Sequence, residues 1–265
     1  MSSLISRSRV PRAEWDGLVE ACAGGWVWHT SDWIDYLVAS GREDRSVARV
    51  SDTGHVTGIN VWCGPVPADD PLPAPLMMEP WLPGPYRSEP SRYAPVGSGF
   101  WTRVLDLARP PADLWREMRR SYHALIHRAE GRYACAWGDV DDLRVLYDAQ
   151  PELPTLTPGQ WRCVERVHAA NRLAVLVARD AVGQVAGAIG IYVWRGRSYY
   201  GHGRSRDKNV NHLLQWRAIQ SLPLRGVRWY EIGWEARPED DEKARAIAYH
   251  KKGFAGERWW ITVTD

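Results

Sequence analysis

The residues that point most directly to chemistry form a short run near the end of the chain, Tyr249-His250-Lys251-Lys252. Lysine is rare here: only four of the 34 lysine and arginine residues are lysine, and two of those four are adjacent in this run. A fixed ammonium stabilises the oxyanion that forms during acyl transfer, and a histidine with its usual pKa of about 6.5 can exchange the proton of an amine. The simpler interpretation is that both lysines only complement the dipole at the end of a helix.

Carboxylates and aromatic rings suited to binding a substrate lie on two strands predicted upstream of this run. Glu231 and Glu235 suit the orientation of an amine or a hydrogen bond to a ribose, although a single carboxylate is more often solvated. Tyr200, His202 and Arg204 lie on the neighbouring predicted strand and its exit, where side chains are expected to line the groove. The candidate substrate-binding residues are Trp81, Tyr86, Tyr200, His202, Arg204, Trp216, Glu231, Trp234 and Glu235.

Alternation and turn residues in the second half of the chain predict the elements that position these groups. Strands at 173–179, 185–194 and 198–203 are expected to pair antiparallel. A helix at 212–221, capped by Asn209 or Asn211, comes next. A strand at 229–232, a helix at 241–251 ended by Gly253, and a strand at 259–263 complete the chain.

The first half of the chain predicts a smaller and more irregular part. Two helices are expected between residues 11 and 40, and a hairpin between 45 and 62. Ten prolines between 64 and 99 exclude a long helix, and that stretch is interpreted as short strands with an ordered loop at 81–86. A strand at 101–107 precedes one long helix at 114–130. A strand at 133–137 and helices at 140–150 and 158–171 then follow.

The predicted helix at 114–130 has a basic outer face. Cations on one face of a helix can follow nucleic-acid phosphates, but a charged face is also what any solvated helix shows. Further cations precede the helix at 212–221, where a helix N-terminus favours an anion. The candidate phosphate-binding residues are Arg116, Arg120, Arg128, Arg206 and Lys208.

Composition narrows the class of protein. A net charge of +2 argues against a general polyanion binder, and 45% hydrophobic residues is normal for a globular chain. The four cysteines show no CxxC spacing, so no metal site is expected. The N-terminal residues lack the apolar core of a signal peptide, and no apolar run reaches about 18 residues, so we expect a cytoplasmic protein without membrane insertion.

Three motifs near the end of the chain resemble those of a known family. Residues 212–216 read His-Leu-Leu-Gln-Trp, residues 229–234 read Trp-Tyr-Glu-Ile-Gly-Trp, and residues 250–256 read His-Lys-Lys-Gly-Phe-Ala-Gly. They resemble the LLxW, YDxGG and FKxGFGG motifs of the FemABX aminoacyltransferases, which have the GNAT acyltransferase fold. The departures are His250 for phenylalanine, Glu231 for aspartate and Ala255 for the first of the two final glycines.

The resemblance implies an α/β (α+β) fold with a mixed, mostly antiparallel sheet flanked by helices. It implies two GNAT-like lobes, a reduced one at 1–100 and a catalytic one at 101–265. The strands at 198–203 and 229–232 should diverge into a wedge for the acyl donor, with the Lys251 ammonium facing into it. Lys251 matches the functional lysine of the family, and we expect its neighbours His250 and Tyr249 to assist catalysis.

The implied reaction transfers an amino acid from aminoacyl-tRNA, a co-substrate, to a primary amine of a small molecule or a peptidoglycan precursor, with no cofactor. An acyl-CoA-dependent N-acyltransferase is the first alternative on the same fold. Its Q/RxxGxG/A loop brings backbone amides to a pyrophosphate, and residues 204–209 contain no glycine. A non-catalytic binding protein is the second alternative. Proton removal by His250 and by the substrate itself both stay open.

Overall fold

The computed structural model describes residues 3–21, 25–61, 76–78, 99–207, 209–235 and 241–262. Contacts between Cα atoms divide the chain into two units. The first comprises Met1–Phe100, Leu156–Arg166 and Trp259–Asp265, and the second comprises Trp101–Thr155 and Val167–Arg258. The residues of the C-terminal motifs discussed below belong to the second unit.

The first unit contains a four-stranded antiparallel sheet, two helices near the N-terminus and most of a later helix, residues 158–166. The sheet follows chain order, with β1 (Ser3–Ser6), β2 (Val47–Val50), β3 (Val56–Val61) and β4 (Leu76–Met78). The two helices near the N-terminus are α1 (Arg12–Ala21) and α2 (Ser31–Ala39), and Thr30 caps α2 by accepting a bond from the Trp33 amide. The two helices and the hairpin predicted from the sequence are confirmed.

Seven strands form the larger sheet, in the spatial order β11-β5-β10-β9-β8-β7-β6. Pairing is antiparallel from β6 to β9 and between β10 and β5, and it is parallel only between β9 and β10 among the pairs whose register is described. The strands are β5 (Gly99–Asp106), β6 (Ala134–Gly138), β7 (Leu173–Arg179), β8 (Val185–Trp194), β9 (Arg197–Ser205), β10 (Trp229–Trp234) and β11 (Glu257–Thr262). This confirms the predicted mixed, mostly antiparallel sheet.

Six further α-helices follow α2 in the described part of the chain. They are α3 (Pro111–Glu117), α4 (Arg120–Glu130), α5 (Val140–Asp148), α6 (Pro158–Ala169), α7 (Val210–Ser221) and α8 (Glu242–Lys252). Of these, α3, α4 and α7 bury apolar side chains in the core of the larger sheet. The central helix α7 buries Leu213, Leu214 and Ile219 in a core shared with α4 and the sheet. Among the described residues, no helix has the length and apolar character needed to cross a membrane.

The single long helix predicted at 114–130 is wrong, because the chain breaks between α3 and α4. Met118 has an extended backbone and Arg119 a non-helical one, with ψ of 148° and 127°. The Arg119 amide donates to the carbonyl of Gly253 at 2.9 Å instead of continuing a helix. Local propensity favoured one helix, and this tertiary hydrogen bond overrides it.

Candidate active site

The parallel strands β9 and β10 separate after a short paired segment. Their register pairs Trp229 with Arg197, Tyr230 with Ser198 and Glu231 with Tyr199, and ends there. Beyond that point β9 continues along β8 and β10 continues along β5. The divergence predicted from the sequence therefore begins at Tyr199 and Glu231.

The ammonium of Lys251 lies at this divergence. Lys251 is the buried residue of α8, with 7% of its surface exposed. A Cβ atom placed on Gly233 of β10 would lie 2.7 Å from its Nζ and 3.7 Å from a ring carbon of Tyr199 on β9. The side chain thus reaches from the end of α8 to the position where the two strands part.

Gly233 makes room for that ammonium. Its φ of +113° belongs to the region that favours glycine, and the β10–β5 register shifts between Glu231 and Gly233. Such a bulge places an extra residue in one strand and changes the direction of the side chains around it. Any larger residue here would be strained in its backbone and would also overlap the lysine.

Burial controls the protonation of Lys251. Desolvation lowers the pKa of the ammonium from 10.5 to about 8, and the attraction of Glu231 opposes this change. Glu231 is itself 1% exposed, and its carboxylate accepts a hydrogen bond of 2.8 Å from the hydroxyl of Thr102. In the structure Glu231 is a buried counter-charge to the lysine, and its role in binding a substrate stays a prediction.

The two residues before Lys251 differ in their surroundings. His250 packs edge-on against His212 and Phe254, and burial followed by the nearby His212, Lys251 and Arg119 lowers its pKa to about 3. A histidine with this pKa is neutral at pH 7 and is a weak base, so the usual value of about 6.5 assumed from the sequence does not hold. Tyr249 is 65% exposed and lies under the Arg119 guanidinium at 3.8 Å, on the outer side of α8.

A bulge in β9 separates Tyr200 from His202, which the sequence placed on one side of the groove. Gly190 pairs with His202 but Ile191 pairs with Tyr200, which leaves Gly201 as an extra residue. Because an extra residue reverses the faces of a strand, the two side chains point to opposite sides. Tyr200 packs on the core, whereas the imidazole of His202 lies 2.8 Å from the Tyr192 hydroxyl.

Strands β9 and β10 carry several buried polar side chains whose pKa values are shifted by burial. Burial raises the pKa of Tyr200 and of Tyr230 well above the usual value, and lowers the pKa of His202 to about 4. The Tyr230 hydroxyl donates to the Oε1 of Gln215 at 2.6 Å, and the Nε2 of that fully buried amide has no partner among the described residues. Residue type and spacing do not single out Gln215 as a site residue, although it lies inside the LLxW-like motif.

Three other predicted substrate residues have partners within the protein. The Arg204 guanidinium lies 4.3 Å from the centre of the Tyr147 ring and donates to the Pro154 carbonyl. Trp216 is 6% exposed and packs on Trp115, with 4.8 Å between ring centres. Glu235 receives hydrogen bonds from Arg103 and from Arg258. Their assignment to a substrate stays a prediction.

The arginines assigned to phosphate do not share one helix, because of the break before α4. Arg116 lies on α3 and pairs with Asp113, while Arg120 and Arg128 lie exposed on α4 and form no ion pair within the described part of the chain. Arg206 is exposed and lines a cavity of about 470 Å³. Lys251, Gly233 and Tyr199 do not line that cavity.

Part of the predicted site lies outside the described residues. This holds for Trp81, Tyr86 and Lys208, and for the side chain of Trp234. Among the residues that are described, no cluster of three or more histidine, cysteine, aspartate or glutamate side chains suits a metal ion.

The comparisons with known proteins bear on the fold. No protein-family model matches the sequence, and no curated protein matches it. The crystal structure of FemX is similar over 99% of this chain and 97% of that chain, with a TM-score of 0.63 and 11% identity. A conserved protein of unknown function from Bacteroides thetaiotaomicron is similar over 100% of both chains, with a TM-score of 0.61 and 9% identity. The chain therefore has the FemABX-like GNAT fold that its motifs predicted.

The substitution Gly233→Ala tests whether this glycine exists to admit the lysine. Gly183→Ala is the matched control, because its φ is also positive, at +83°, but no atom lies within 4 Å of its added Cβ. Each change should cost about 1–3 kcal/mol through the backbone alone. We expect Gly233→Ala to destabilise the fold further and to raise the pKa of Lys251 as the ammonium moves towards water. Denaturant unfolding and NMR titration of labelled lysine Cε atoms measure both, and equal effects of the two variants would contradict the assignment.

The substitution Glu231→Gln tests the counter-charge. Because the carboxylate attraction raises the pKa of Lys251, its loss should lower that pKa further below about 8. The same NMR titration reports it, since only four lysine signals have to be distinguished. Glu242→Gln removes an equal charge nine residues earlier on α8, about 14 Å away along the helix, and should leave the pKa unchanged. An unchanged or raised pKa in Glu231→Gln would exclude the interaction.

Proposed function

We propose that this chain is an acyltransferase that moves an aminoacyl group from tRNA to a primary amine and so forms an amide. The observation that carries the proposal is the buried ammonium of Lys251 at the divergence of β9 and β10. Burial of a lysine is costly, and a helix-dipole contact does not require it, as the exposed neighbour Lys252 shows. A catalytic role of the Lys251 ammonium, at the point where β9 and β10 diverge, explains why the fold keeps this costly burial.

The reaction asks two things of the protein. The amine nitrogen attacks the ester carbonyl, and the carbonyl oxygen becomes an oxyanion. An electron pair of the oxyanion then re-forms the C=O bond, and the ribose oxygen leaves with the electrons of the C–O bond. A fixed ammonium beside the oxyanion stabilises this intermediate. With a pKa of about 8, Lys251 is mostly charged at neutral pH and is able to do so.

The second requirement is removal of a proton from the attacking amine. With its pKa near 3, His250 is too weak a base to take that proton efficiently at neutral pH. We therefore favour the substrate-assisted route, in which the departing ribose oxygen receives the proton that the amine loses. His250 then contributes packing to the last turn of α8 rather than proton transfer.

The loop after β9 supports tRNA over acyl-CoA as the donor. Residues 204–209, which run from the end of β9 to the residue before α7, contain no glycine, so the backbone approaches a pyrophosphate less closely. Arg204, near the end of β9, contacts the Tyr147 ring and donates to the Pro154 carbonyl, so its guanidinium is already engaged within the protein. The acceptor amine belongs, on this proposal, to a small molecule or a peptidoglycan precursor.

Exposed cations on α4 suit the donor RNA. Arg120 and Arg128 are eight residues apart on the same helix, about 12 Å along its axis, and both are exposed. That spacing permits contact with two phosphates of one strand. Arg116 and Arg206 are further exposed candidates on other elements.

Loss of Lys251 decides between catalysis and simple binding. We expect Lys251→Met to reduce amide formation by about 100- to 1000-fold, as removal of one oxyanion contact does in other enzymes. Lys252→Met removes the exposed lysine at the same helix end and should retain activity. Mass spectrometry of amine acceptors incubated with a full set of aminoacyl-tRNAs measures this. Transfer from acetyl-CoA instead would identify an acyl-CoA enzyme, and equal rates in both variants would exclude the role of Lys251.

Salt dependence of tRNA binding tests the α4 surface. Each lost phosphate contact should reduce the slope of log K against log salt by about 1, so the double change Arg120→Gln and Arg128→Gln should reduce it by about 2. Arg225→Gln, an exposed arginine on the 3-10 turn Leu222–Arg225, is the control. An unchanged slope in the double variant would place the RNA elsewhere.

A further inference from the structure

The end of α8 is held by groups from the start of α4. A helix leaves its last carbonyl groups without partners inside the helix. Here the Arg119 Nη2 donates to the Tyr249 carbonyl at 3.2 Å, and the Tyr122 hydroxyl donates to the His250 carbonyl at 3.0 Å. The Arg119 amide donates to the Gly253 carbonyl at 2.9 Å. The three bonded carbonyl groups belong to residues before and after Lys251 in the sequence, so the chain is held on both sides of this lysine.

The two donor side chains also fix one another. The Arg119 Nη1 donates to the Tyr122 hydroxyl at 3.0 Å, so that hydroxyl is both acceptor and donor. The guanidinium also covers the ring of Tyr249 at 3.8 Å. Its positive charge lies at the negative end of the α8 dipole, which adds an attraction to the hydrogen bonds.

The chain is shaped to allow this contact. The break at Met118 and Arg119 turns the Arg119 amide towards α8 rather than towards the preceding helical turn. On the α8 side, a Cβ atom on Gly253 would overlap the ring of Tyr122. Tyr122 is 5% exposed and packs on Phe254, with 5.1 Å between ring centres. Both the helix break and the glycine therefore serve the same contact.

We propose that Arg119 and Tyr122 are positioning residues, which fix the last turn of α8 so that the Lys251 ammonium stays at the divergence of β9 and β10. On this proposal both side chains act through the carbonyl groups beside the lysine, those of Tyr249 and His250. The inference rests on the proposed function for its effect on catalysis, but its geometric part concerns only the place of the lysine. Hence an experiment can contradict the positioning role without contradicting the proposed function, and the reverse also holds.

The test uses Tyr122→Phe, which removes one hydroxyl and keeps the ring, together with Arg119→Met and Arg119→Lys. NMR titration of the four labelled lysines reports the pKa of Lys251, and Lys251→Met assigns its signal. We expect that pKa to rise from about 8 towards 10.5 in Tyr122→Phe and Arg119→Met, because a loosened last turn lets water reach the ammonium. Arg119→Lys keeps the charge but not the two-sided hydrogen bonding, and should give a smaller rise.

Kinetics provide the second readout. A misplaced catalytic group costs about 10- to 100-fold, so kcat should fall by that factor while KM for the donor changes little. Tyr133→Phe and Arg109→Met remove a comparable hydroxyl and guanidinium elsewhere and should change neither readout. An unaltered Lys251 pKa in a folded Tyr122→Phe protein and in Arg119→Met would overturn the positioning role. A raised pKa without any transfer activity in the parent protein would uphold it and reject the proposed function.

Discussion

Placing an ammonium where water barely reaches it costs free energy, and the fold accepts that cost at Lys251. The change of its pKa from 10.5 to about 8 corresponds to about 3 kcal/mol of destabilisation. Because the folded pKa is lowered, this cost is present in full below pH 8 and disappears as the pH rises from about 8 to 10.5. Glu231 reduces the cost, and Thr102 holds that carboxylate in place. Other features of the site follow from the need to keep this charge where it is.

Two glycines and one helix break help to keep the Lys251 ammonium in its place. Gly233 allows the ammonium to approach β10, and Gly253 allows the ring of Tyr122 to approach the end of α8. The break before α4 supplies the amide that binds the Gly253 carbonyl. Ala255 shows that the same region tolerates some strain, since its φ of +65° is one that alanine rarely adopts and that a glycine would hold more easily.

Residue type does not reveal which of the large aromatic and polar side chains pack in the core and which line the site. Trp216 is a core residue against Trp115, and His202 is paired with Tyr192. The bulge at Gly201 decides this for β9, because it turns His202 to the opposite face from Tyr200. The sequence placed Tyr200 and His202 in one groove, while the actual register of β9 turns them to opposite faces.

The sequence by itself determined the order and type of the elements in the second half, because strand alternation, helix periodicity and capping residues are local properties. It also determined the fold, since the motifs around Leu213, Gly233 and Lys251 occur in the required order. Only the tertiary structure decided that Glu231 faces the lysine, that His250 is a weak base and that Arg119 binds α8. Bulges, desolvation and contacts between residues about 130 positions apart depend on the whole chain, and no local pattern encodes them.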